Sequence, residues 1–91
     1  MYIITIYGKE EEGAYAGVDE FGDYILYIFE EKDDANRFAM LLEEDDYPKM
    51  RVMEVEEKAV LRACEINECD YKIFTSEDIV IPPHKEDTEF I

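Results

Sequence analysis

Two six-residue runs of this chain, Tyr2 to Tyr7 and Tyr24 to Phe29, are β-branched, leucine or aromatic at every position. Side chains alternate between the two faces of a strand, so each run is apolar on both sides and needs cover on both. The first run ends at Gly8 and leads through the polar turn Lys9 to Gly13 into a weaker strand at residues 14 to 18. Asp19 to Asp23 reads as a second turn, so the chain opens as a three-stranded meander.

The hydrophobic period then changes. Ala35, Phe38, Ala39 and Leu42 recur at helical spacing, with Arg37, Glu43 and Glu44 on the outer side. Glu31, Asp33 and Asp34 crowd the first turn, where carboxylates suit the free backbone donors and the helix dipole, and Tyr47-Pro48 ends the segment. Met50 to Val55 is a fourth strand. Glu56 to Glu68 is a second helix with Ala59, Val60, Ala63 and Cys64 inward, and residues 71 to 74 form a fifth strand. Ile79-Val80-Ile81 is a last extended piece, ended by Pro82-Pro83.

The order β-β-β-α-β-α-β implies an α+β fold: a two-layer sandwich of a five-stranded mixed sheet with two helices on one face. Residues 1–83 make the single domain and 84–91 an acidic C-terminal tail. With both helices on one face, the other apolar face of strands one and three needs separate cover. The C-terminal segment folding back is one way. The other is a tyrosine-bearing contact surface, with Tyr7 and Tyr27 exposed to a partner or to a second copy of the chain.

Composition excludes several functions. Nine Lys and Arg stand against 25 Asp and Glu among 91 residues, for a net charge of −16 and a pI near 4.1. Direct nucleic-acid binding needs cations that displace phosphate counterions, and an anionic membrane surface needs a basic patch. No partner of either kind is expected, and the opening apolar run is too short for membrane insertion or a secretory leader. Cys64 and Cys69, five residues apart, would lie about 140° apart around an ideal helix, too far to bridge. Reduced thiols point to a cytoplasmic protein.

Enzyme signatures fail. G-x-S-x-G, P-loop, G-x-G-x-x-G and H-E-x-x-H motifs are absent from the sequence. The one histidine, His84, follows two prolines near the chain end, where a general base would not be held against a substrate. The cysteines lack C-x-x-C spacing, and the acidic stretch Asp19 to Glu30 breaks a calcium-loop pattern at Phe21 and Tyr24. No catalytic, cofactor-binding or metal-binding residues are assigned, and the chain is read as a non-enzyme without cofactor.

The charge itself remains to be explained. Residues 1–29, 30–46 and 47–91 carry −5, −6 and −5, so the field is global and densest at the ends of the first helix. Glu43, Glu44, Asp45 and Asp46 oppose the macrodipole at that helix's C-terminus, a cost of a few tenths of a kcal/mol each. Solubility is one reason to keep them; steering toward a basic protein is the other.

The string FEEKDDANRFAMLLEEDDYP at Phe29 to Pro48 resembles a small uncharacterised family of cyanobacteria and plastids, domain of unknown function 3110. The strand-turn opening, Cys64 and Val80-Ile81-Pro82-Pro83 extend the resemblance over nearly the whole chain. It implies a setting, the cytoplasm of a photosynthetic prokaryote or its plastid equivalent, rather than a reaction. Cys69 stands where that pattern leads one to expect a helix-ending glycine, and left-handed backbone there would be strained. The combined reading is a small interaction or regulatory module for a basic protein or a photosynthesis-related complex, through Tyr7, Tyr27 and Glu43 to Asp46. The alternative is an acidic nucleic-acid mimic that occupies the groove of a nucleic-acid-binding protein.

Overall fold

The computed structural model describes residues 1–19 and 21–78, together with the backbone of 88–90. Strands β1 (Tyr2–Ile6), β2 (Tyr15–Val18) and β3 (Tyr24–Phe29) are followed by α1 (Lys32–Glu44), β4 (Met50–Glu54), α2 (Glu57–Ile66) and β5 (Asp70–Phe74). A short β6 (Thr88–Phe90) completes one sheet. The tight β2–β3 connection forms because the Asp19 Oδ1 accepts the backbone N–H groups of Phe21 and Asp23 at 2.8 and 2.9 Å, while Gly22 supplies a φ of 84°.

β3 is the axis of the sheet. One edge pairs in parallel with β5 from Ile25↔Asp70 to Phe29↔Phe74. The other edge is shared: β2 runs antiparallel along Tyr24 to Leu26, and β1 meets it at Tyr2↔Phe29. β4 pairs antiparallel with the far edge of β1 over its full length. The sheet is therefore mixed, and with two helices it has the α+β character expected. Thr88–Phe90, inside the segment read as a tail, pairs antiparallel with β2. The extended piece at 79–81, Pro82-Pro83 and His84 lie outside the described residues.

The helices, expected on one face, pack on opposite faces. Alternate residues of β1 and β3 divide between two cores: Ile4 and Phe29 pack with Ala35, Phe38, Ala39 and Leu42 of α1, whereas Leu26 and Ile28 pack with Val60 and Cys64 of α2. The reason lies in the strand order. β4 sits beyond β1 on one side of β3, and β5 lies on the other side. The crossover through α1 thus travels one way across the sheet and the crossover through α2 travels back. Crossovers of the same hand that run in opposite directions lie on opposite faces. This explains why β1 and β3 are apolar on both sides: each face has its own helix.

The two helices dock differently. α1 buries the whole expected stripe of Ala35, Phe38, Ala39 and Leu42. In α2 the inward strip is narrower and rotated, with Val60 and Cys64 buried and Leu61 half-buried, while Ala59 and Ala63 are exposed.

Both helices end with a left-handed residue and a backbone bond that reaches back over it, and after α2 a second bond joins it. Cys69 donates its N–H to the Cys64 carbonyl (3.0 Å) and Glu68 donates to Glu65 (3.3 Å); after α1, Tyr47 donates to Leu42 (3.1 Å). The left-handed position in these caps falls to Asp46 (φ 66°) and Glu68 (φ 54°), so the strain expected at Cys69 sits one residue earlier. Replacing Glu68 with glycine relieves it and removes an anion from a helix C-terminus. Glu68→Gly is expected to raise stability by about 0.5–1 kcal/mol, read as a rise in melting temperature of a few degrees. An unchanged or lower melting temperature would contradict a strained cap.

Candidate functional site

The face under α1 is filled with aromatic rings. Tyr15 meets Tyr27 and Phe38 edge-on at centroid distances of 5.4 and 5.3 Å, and Tyr27 meets Phe74 at 4.9 Å. Burial pushes the ionisation of the Tyr15 and Tyr27 hydroxyls up. Tyr27 is thus half-buried against the α1 core, and the expected open tyrosine face is closed by the helix. Gly17, on the same side of the sheet, lies directly under the Tyr27 ring.

Tyr7 has a different setting. It is 57% exposed, just past the end of β1, and its N–H donates to the Lys49 carbonyl at 2.9 Å. The Lys49 ammonium lies 4.6 Å from the centre of the Tyr7 ring, a cation–π contact. One residue on, the Met50 N–H donates to Glu43 Oε2 at 3.0 Å. That bond gives Glu43 a structural task, tying the last turn of α1 to the start of β4. Glu44, Asp45 and Asp46 are exposed beside it. Tyr7 and the four carboxylates therefore gather at one end of the molecule, and Tyr27 stays with the core.

Two exposed apolar residues of α1 lie near this end. Met40, 63% exposed, has Glu43 and Glu44 beside it by the spacing i to i+3 and i+4, and Leu41, 37% exposed, faces the other flank of the helix beside Asp34, Arg37 and Ser76 to Asp78. They were legible as the apolar residues of α1 that do not fit the stripe at 35, 38, 39 and 42. The exposed pair is thus bounded by Glu43 to Asp46 toward the end of α1 and by Arg37, paired with Asp34, one turn before it, suited to burying an apolar side chain of a partner that is cationic where it meets the carboxylates.

A second concave feature lies across the molecule. An open cavity of about 840 Å³ runs between the end of α2 and the β2–β3 turn, and is lined by Tyr24, Leu26, Cys64, Asn67, Cys69 and Asp70 among others. Among the described residues, no three or more His, Cys, Asp or Glu side chains gather in a way that would hold a metal ion, and no helix is long and apolar enough to cross a membrane.

These features define a small mixed-sheet α+β domain with a helix on each face and an acidic exterior. The chain belongs to the family described as Domain of unknown function (DUF3110), whose sequence model matches residues 1–84. No curated protein and no solved structure matches it.

Proposed function

We propose that this domain is a non-catalytic protein-protein interaction module, working in the cytoplasm of a photosynthetic cell, that docks a basic partner on the outer flank of α1. The observation that carries this reading is the exposure of Met40 and Leu41 one turn before the carboxylates Glu43 to Asp46. Monomeric surfaces leave single apolar residues exposed, but an apolar pair set beside a run of carboxylates offers an interface a centre and a charged border. The carboxylates speed encounter with a cationic partner, and the apolar pair prolongs the complex.

The nucleic-acid mimic is the weaker reading. A decoy needs carboxylates repeated along an extended row at phosphate spacing. The molecule measures 32 × 30 × 27 Å, close to equal in all directions, and exposed carboxylates occur on α1, on α2 and in the turns alike.

The test is retention of partner proteins from a photosynthetic lysate at low salt, followed by stepwise salt elution. Met40→Ser with Leu41→Ser, and separately Glu44, Asp45 and Asp46→Lys, should each release the same partner at least about tenfold more readily, the equivalent of about 1.4 kcal/mol. Glu43 is left intact because it holds Met50. Unchanged retention in both variants would exclude this surface.

A further inference from the structure

We infer that Cys64 and Cys69 form a dithiol site that closes to an intramolecular disulfide when the folded protein meets a small-molecule disulfide such as oxidised glutathione. Three observations bring the pair together. The cap of α2 folds the chain back so that the Cys69 N–H bonds the Cys64 carbonyl at 3.0 Å; in this cap the two residues that flank the turn meet side by side. Cys69 packs against the same core cluster as Cys64. Both line the open cavity beside the β2–β3 turn. The separation expected from an ideal helix fails here because the helix ends at Ile66, and the left-handed Glu68 reverses the chain before Cys69. Both thiols are free.

Their environments assign the order of events. Cys69 is partly exposed at the cavity wall and Cys64 is buried. The Cys69 thiolate attacks one sulfur of the glutathione disulfide and expels the first glutathione thiolate, leaving a mixed disulfide on Cys69. Cys64 then gives up its proton, and its thiolate attacks the Cys69 sulfur and expels the second glutathione. Two electrons pass from the protein to the glutathione disulfide, and the two thiol protons end on two glutathione molecules. Burial and the neighbouring Cys69 push the Cys64 thiol up to about 12. Burial still disfavours the Cys64 thiolate in the mixed disulfide, so the second step accelerates as pH rises. The bridge ties the last turn of α2 to the start of β5, along one wall of the cavity.

The experiment incubates the folded 91-residue chain with glutathione redox buffers and reads intact mass and maleimide labelling. Loss of two hydrogen atoms and of both labelling sites, without a glutathione adduct, is expected. In Cys64→Ala the adduct should instead persist on Cys69. The closure constant against glutathione should be at least about tenfold larger in native buffer than in urea, since the fold supplies the proximity. A persistent adduct on the wild-type chain, disulfide-linked dimers, or a closure constant no larger than in urea would each overturn the inference.

Discussion

Phe38→Ala is expected to destabilise the domain by about 3–5 kcal/mol, the range for removing a ring from a packed core. Phe38 is 2% exposed and meets three rings at once: Tyr15 at 5.3 Å, Tyr27 at 5.6 Å and Phe29 at 5.4 Å. Each edge-to-face contact adds to the area term. The surrounding rings belong to two paired strands, Tyr15 to β2 and Tyr27 and Phe29 to β3, which cannot both move inward to fill the space. A domain of this length has about 5–13 kcal/mol in all, so the variant should unfold at a much lower urea concentration with little change in slope. A cost below about 1 kcal/mol would mean that α1 does not seal this face.

Gly17→Ala is expected to cost about 1–3 kcal/mol, although it adds only one methyl group. A Cβ at this position would come within 2.4 Å of the Tyr27 Oη and 2.7 Å of its Cζ. The ring cannot swing clear, because Tyr15, Phe38 and Phe74 hold it at centroid distances of 5.4, 5.6 and 4.9 Å. The cost should fall when Tyr27 is shortened: Gly17→Ala combined with Tyr27→Leu is expected to show a favourable coupling of about 0.5–3 kcal/mol. Strict additivity, read from urea midpoints of the four proteins, would show that strand conformation, and not the ring, sets the cost.

The elements of the fold were legible wherever local pattern decides them. The stripe at Ala35, Phe38, Ala39 and Leu42 identified the buried face of α1 because helical spacing is a local property. The placement of the helices was not local. It depends on β4 adding beyond β1 while β5 adds to the opposite edge of β3, and no short-range signal encodes that choice. The doubly apolar pattern of Tyr24 to Phe29 nonetheless recorded its result, since a strand covered on both faces has no polar side. The cysteine pair was hidden for a related reason: ideal helical spacing stops at Ile66, and the capping turn sets the distance beyond it.

The candidate site was legible in part. The run Glu43 to Asp46 and the exposed Tyr7 follow from composition and position, and they meet through the Lys49 and Met50 contacts. Tyr27 looked like a surface residue only while α2 was expected on the same side as α1. Met40 and Leu41 carried a signal in the sequence, since a helix in which 35, 38, 39 and 42 face inward leaves 40 and 41 off its buried stripe, and the structure shows both exposed.

The most direct test of the proposed docking surface compares two sets of charge reversals of equal size. One replaces Glu44, Asp45 and Asp46 with Lys beside the apolar pair on α1; the other replaces Glu56, Glu57 and Glu65 with Lys in and beside α2. Both change net charge equally, and partner retention is followed through the salt steps. The expected result is at least about tenfold weaker retention for the α1 set and near wild-type behaviour for the α2 set. Equal loss in the two sets would show that bulk charge alone attracts the partner, and would contradict docking on the α1 flank.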